Sequence, residues 1–76
     1  MIYLERHAPA LHMHRYYTFT VERNLFNEWS LIRAWGRVGQ PPRSRTELHP
    51  TEQDARNAMQ RWEKRKRRRG YGIQSQ

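Results

Sequence analysis

Three consecutive residues, Trp35-Gly36-Arg37, set an indole, a position without a side chain and a guanidinium at the end of an apolar run. A missing Cβ beside a large aromatic leaves room for a backbone or a ligand to approach. The arginine that follows carries a rigid fork of N–H donors suited to a phosphate or a carboxylate. Each residue has a structural alternative. Trp35 is either a core residue or a stacking platform for a sugar or base, a contact worth about 1–3 kcal/mol per base. Gly36 either serves a β-bulge or clears space. Arg37 is a solvated strand-end charge, a phosphate or partner ligand, or a brace for loop carbonyls. Arg33 lies two residues before Trp35 on the same strand face, so the two can form one platform with cation–π character.

A second basic feature follows. Lys64, Arg65, Lys66, Arg67, Arg68 and Arg69 form an unbroken run at the end of a predicted helix. Positive charge there is favoured by the helix dipole, and such faces are usually solvated. Six in a row exceed what the dipole asks for and resemble a stripe that tracks phosphates. Arg43 and Arg45 extend it if their strand lies nearby. Over the whole chain 15 Lys and Arg face 7 Asp and Glu, a formal charge of +8. The sequence pI is near 11.1. Only Lys64 and Lys66 are lysines, and arginine is the residue suited to bidentate phosphate contacts and to stacking. This is the electrostatic footprint of a nucleic-acid binder, although solubility alone also uses charge.

Other chemistry finds little support. There is no cysteine, which excludes a disulfide or a Cys-ligated zinc and fits a reducing cytosol. His7, His12, His14 and His49 lack the carboxylates or thiolates that would complete a ligand set, so no metal site and no cofactor are expected. Ser30 and Ser44 have no evident His and carboxylate arrangement. Glu47, Glu52 and Asp54 read as edge-strand and helix-start charges. The chain does not read as an enzyme. No apolar run approaches membrane-spanning length, and "MIYLERHAPA" lacks the layout of a signal peptide. The expectation is a cytoplasmic protein without a membrane partner, compatible with association with the nucleoid.

These groups must be positioned by a small fold. Seventy-six residues suit one domain, which buries only about 60% of its unfolded surface. Three Trp, four Tyr and two Phe supply the apolar area. Residues 2–5 can form a short strand, and residues 7–14 read as a connector. In residues 15–22, Tyr17, Phe19 and Val21 point one way and Tyr16, Thr18 and Thr20 the other. Residues 28–36 place Trp29, Leu31, Arg33 and Trp35 on one face and Ser30, Ile32 and Ala34 on the other. Apolar residues on both faces imply either cover on both sides or a bulge near Gly36. Gly39, Pro41 and Pro42 mark a hairpin-like connection, and residues 43–48 return as a charged edge strand. Thr51 is the expected N-cap of a helix whose apolar stripe is Ala55, Ala58, Met59 and Trp62. Gly70 is its expected stop. Tyr71 can fold back on the sheet, and residues 73–76 are expected as a disordered tail beyond a core of about 3–72. The fold class is α+β: an antiparallel sheet of three to four strands with one C-terminal helix across it.

"LFNEWSLIRAWGRVG" resembles the core signature of the WGR domain, named for the tripeptide that here is Trp35-Gly36-Arg37. The aromatic strand "RYYTFTV" lies upstream at the matching distance. "LFNEWSL" and the ending "KRKRRRGY" are similar to elements of short bacterial members. The resemblance spans roughly residues 3–72 and implies a sheet with a helix packed on it. In eukaryotic poly(ADP-ribose) polymerases, a domain of this type touches DNA near a strand break. There the motif tryptophan packs on the terminal nucleotide, and the arginine joins DNA binding to contacts with neighbouring domains. By position these roles fall to Trp35 and Arg37. No room exists for a polymerase domain, so no ADP-ribosylation is implied. Pro41 and Pro42 stand where many members are glycine-rich, and the basic helix end departs from the polymerase pattern.

The resulting expectation is a non-catalytic module that binds nucleic acid, DNA rather than RNA, at ends, nicks or single-stranded segments. Its site residues are Arg33, Trp35, Gly36, Arg37, Arg43, Arg45 and the run Lys64–Arg69. The alternative is a protein-interaction module that docks an acidic partner on the same Trp and Arg surface.

Overall fold

A computed structural model describes residues 1–8 and 13–73. Four strands form an antiparallel meander: β1 (Ile2–Ala8), β2 (Met13–Arg23), β3 (Trp29–Arg37) and β4 (Arg43–His49). Helix α1 (Glu52–Arg68) follows, and a two-residue strand β5 (Gly72–Ile73) pairs with β1. The sheet order is β4-β3-β2-β1-β5. The α+β class and the crossing helix agree with the expectation. Two boundaries differ. The described residues of the expected connector at 7–14 are strand, because His7 pairs with His14 and Ala8 with Met13. The expected tail begins as β5, with Leu4 opposite Ile73. His12 and residues 74–76 lie outside the described residues.

The alternation of β2 and β3 decides the core. Register pairs Tyr17 with Trp35, Phe19 with Arg33 and Val21 with Leu31, and β1 sets Leu4 opposite Tyr17. All of these side chains therefore share one face, and α1 covers it. Leu4, Phe19, Leu31 and Ala55 are fully buried, with Tyr17 and Ala58 nearly so. Alanines on the contacting stripe let the helix approach closely. Met59, Trp62 and Tyr71 pack at the margin. No bulge interrupts β3: Gly36 stays opposite Tyr16 and Arg37 opposite Arg15. The apolar residues on the other face, Ile32 and Ala34, are only half-buried. Among the described residues no element covers that face.

Short signals in the chain fix the ends of these elements. In the β2–β3 turn the Asn24 side-chain oxygen accepts from the amides of Phe26 and Glu28, both at 2.9 Å. Asn27 takes a left-handed φ of 62°. This turn leaves Leu25 98% and Phe26 82% exposed. At the helix start, Thr51 Oγ1 accepts from the Asp54 amide at 3.1 Å, satisfying one orphan donor. At the helix end, Gly70 has φ 93°. Its amide donates to the Arg67 carbonyl, and the Tyr71 amide donates to that of Lys66. This is the paired bonding of a Schellman motif. It turns the chain so that Tyr71 meets the Tyr17 ring edge-on, with centroids 6.2 Å apart. Gly72 then reaches β1.

A Cβ at Gly70 would need an unfavourable φ and would stand 3.2 Å from Arg6 Nε. Gly70→Ala is therefore expected to cost about 1–2 kcal/mol in urea unfolding. Leu31→Ala should cost about 2–5 kcal/mol. Leu25→Ala and Phe26→Ala should stay within about 0.5 kcal/mol, because neither side chain has a packed environment to lose.

Candidate nucleic-acid interface

The site begins with a buried charge. Arg33 is 8% exposed, facing α1 from the middle of β3. Its guanidinium carbon lies 3.8 Å from the centroid of the Trp62 ring. Its Nη1 donates to the Tyr17 phenol oxygen at 3.2 Å. Its Nε sits 3.2 Å from Glu47 Oε2, an ion pair without the alignment of a hydrogen bond, and Nε has no other partner. Glu47 in turn accepts from the Trp62 indole N–H at 2.9 Å. Glu47 is thus no mere edge-strand charge. It ties β4, β3 and α1 together. The expected pairing of Arg33 with Trp35 is also corrected, since the cation stacks on Trp62 across the helix–sheet interface.

Two clefts open beside this knot and meet at Arg15, Trp35 and Tyr71. The first, about 360 Å³, lies at the β3–β4 end and includes Gly36, Arg37, Gln40, Pro41 and Arg43. The second, about 490 Å³, lies between the sheet and the last turns of α1. Its floor is aromatic, with Tyr17, Trp35, Trp62 and Tyr71. Its cations are Arg6, Arg15, Arg33, Arg45, Lys66 and Arg69. Among the described residues no carboxylate lines either cleft. Trp35 stacks one face on Tyr17, with centroids 5.5 Å apart and planes within 9°. It is half-buried and borders both clefts. Lys66 Nζ lies 4.4 Å from the Tyr17 ring centroid. Burial, then the nearby charges of Arg69, Arg33 and Arg65, holds the Lys66 ammonium below its ordinary pKa.

A family model described as the WGR domain matches residues 1–76. The chain belongs to the WGR domain family. It is 37% identical over 70 residues to a Sinorhizobium fredii protein described as uncharacterized protein y4dW. The match covers 92% of this chain and 34% of that relative, so the chain spans about a third of the relative's length. No solved structure matches it. No helix among the described residues is long and apolar enough to cross a membrane.

The residues singled out in the sequence of this WGR domain separate into groups. Trp35, Gly36, Arg37 and Arg43 converge on the first cleft, and Trp35, Arg33, Arg45, Lys66 and Arg69 on the second. A Cβ on Gly36 would meet Tyr16 and Pro41 at ordinary packing distances of 3.6 and 3.7 Å, so the sheet itself does not demand glycine there. The basic run is split by helical periodicity. Trp62, Lys66 and Arg69 share the inner face, at spacings of four and three. Arg65 also lies over the Trp62 ring, 4.7 Å from its centroid. Arg67 is engaged with Glu63 at 2.8 Å. Lys64 and Arg68 are exposed and border neither cleft. Sequence reasoning missed Arg6, Arg15 and Tyr71 as site residues. The signal was present in the alternation, since Arg6 follows Leu4 by two positions and Arg15 precedes Tyr17 by two.

Removing the charge that answers Arg33 should loosen the helix–sheet joint. Glu47→Gln is expected to cost about 1–3 kcal/mol in chemical denaturation. Lys66 gives a pH signature. Its folded pKa is depressed, so the unfolded chain binds more protons between that value and 10.5, and stability rises with pH there. Tyr3 acts in the opposite sense. Its phenol, bonded to Glu5, is pushed up to about 12, so stability falls as pH passes 10.0 toward that value. The difference between wild-type and Lys66→Met melting curves isolates the lysine. Wild type should gain on the variant as pH approaches 10.5 from neutrality.

Proposed function

We propose that this WGR domain is a non-catalytic nucleic-acid-binding module that engages DNA at ends, nicks or single-stranded segments. The observation that carries the reading is the cleft where a half-buried Trp35 meets a ring of cations with no lining carboxylate among the described residues. Uncompensated positive charge over aromatic walls attracts a phosphate backbone, and a flat indole accepts any base or sugar face. Trp35 stacks on the exposed nucleotide. Arg37 and Arg43, at the mouth of the first cleft, take the adjoining phosphate. Arg33 acts through Trp62 and Glu47 as a positioning residue that holds the helix in place. Gly36 keeps the strand end slim beside the indole. Lys64, Arg65, Arg67 and Arg68 add to the long-range field that steers the encounter.

An exposed nucleotide face exists at a strand end or nick and not within an intact duplex, so recognition is by structure and not by sequence. Membership of the WGR family is consistent with this assignment. The protein is expected to work in the cytoplasm, and its charge is compatible with association with the nucleoid.

The test is a binding titration of a nicked or open-ended duplex against a closed circular control at two salt concentrations. Wild type should prefer the open DNA and lose affinity steeply with salt. Trp35→Ala should abolish the preference and weaken binding by about 5- to 150-fold, the equivalent of one lost stack, while unfolding cooperatively. Equal binding of all DNAs, unchanged by Trp35→Ala, would contradict the reading and leave non-specific attraction by the basic run. An acidic protein that binds in a Trp35-dependent way while DNA binds weakly would favour the protein-docking alternative.

A further inference from the structure

The second cleft holds more cation than the Trp35 platform requires. Five of its basic side chains, Arg6, Arg15, Arg45, Lys66 and Arg69, have no ion-pair partner among the described residues, and Arg15 is shared with the first cleft. Arg33 in the same cleft is answered by Glu47, and on the outer helix face Arg56 and Arg67 are answered by Glu52 and Glu63. The carboxylates of this chain are thus used at the joint and on the solvent side and are withheld from the cleft.

We propose that Arg6, Arg45, Lys66 and Arg69 form a second phosphate site, so that the ligand is a strand segment with at least two successive phosphates. This rests on the nucleic-acid reading of the Trp35 cleft. Two features of geometry support it. The clefts are neighbours that share Arg15, Trp35 and Tyr71 in their linings, so a ligand extended across these three side chains reaches both. Along the β3–β4 ladder, Arg43 is opposite Trp35 and Arg45 is opposite Arg33. These neighbours on one sheet face are separated by two residues, roughly 6.8 Å of strand rise. That is comparable to the step between successive phosphates of a nucleic-acid strand. Arg43 therefore serves the first phosphate and Arg45 the next. Aromatic rings line the second site beside these cations, and their low-dielectric bulk strengthens the attraction for an anion on that side. The Schellman turn completes it, because Gly70 brings the helix end against Arg6. An entering phosphate offsets both the burial and, to a lesser degree, the neighbouring charges that depress the proton affinity of Lys66.

The experiment uses fluorescence anisotropy of a short labelled open-ended duplex over a range of salt. It compares wild type, Arg45→Gln with Lys66→Met, and a control double variant, Lys64→Gln with Arg68→Gln. The methionine retains the apolar stem over Tyr17 and Trp62, and thermal melts check that each variant folds. The proposal predicts a log–log salt slope shallower by about 0.9 for the cleft variant, the value of one phosphate contact. The control should change the slope by less. A second arm uses inorganic pyrophosphate, which should raise the melting temperature of wild type and of the control but not of the cleft variant. A cleft variant with the slope of the control, and a pyrophosphate effect shared by all three proteins, would overturn the second site while duplex binding through Trp35 stands. A pyrophosphate effect lost only in the cleft variant, with no duplex bound by wild type, would instead contradict the nucleic-acid reading, and with it the two-phosphate strand as ligand.

Discussion

A buried guanidinium is tolerable only where its charge is answered, and Arg33 is answered from three sides. Trp62 offers its ring face, Tyr17 its phenol oxygen and Glu47 its carboxylate. Each partner comes from a different element: α1, β2 and β4. One cation therefore fixes how the helix lies on the sheet. The apolar core beneath it is small: among the described residues, Leu4, Phe19 and Leu31 are the large side chains fully enclosed. In a domain with so little core, a satisfied polar knot at the margin sets the arrangement while burial supplies most of the driving force.

That knot has a consequence for the rest of the charge. Glu47 is used up by Arg33 and Trp62. The remaining acidic groups of the helix pair outward with Arg56 and Arg67 or sit on its first turn. The inner face of the last turns is left cationic, against aromatic walls. The crowding of Lys66, Arg69 and Arg6 is answered by aromatic faces and by no carboxylate among the described residues. Such an arrangement is stable enough to persist and favourable to any anion that enters. Structure and recognition thus share the same residues, with Arg33 on the structural side and Trp35 at the boundary.

Much of this was legible in the sequence. Strict alternation in "YYTFTV" and "WSLIRAW" placed the two central strands and the residues sharing each face. Thr51 and Gly70 marked the helix ends because capping chemistry is local. Other features were not legible because they depend on contacts between distant elements. Ile32 and Ala34 resemble core residues as much as Leu31 does, so the pattern could not say which face α1 covers. Arg33 could not be assigned to Trp62 in place of Trp35, since the nearer tryptophan in sequence is the farther one in function. The helical period divides the basic run, but only knowledge of the inner face tells that Lys66 and Arg69 are the ones turned inward. Strand β5 has two residues and no periodicity to read. The outer part of the β1–β2 pairing was hidden because His7 and His14 read as connector composition.

The most direct test of the account is a residue-resolved nuclear magnetic resonance titration of the intact chain with a short open-ended duplex. The account predicts that perturbations centre on the Trp35 indole, the Arg37 and Arg43 amides and the inner face of α1 around Lys66. The uncovered sheet face around Tyr3 and Tyr16 and the Leu25–Phe26 turn should remain unchanged. Perturbations that gather on either of those surfaces, with the Trp35 indole unmoved, would contradict it.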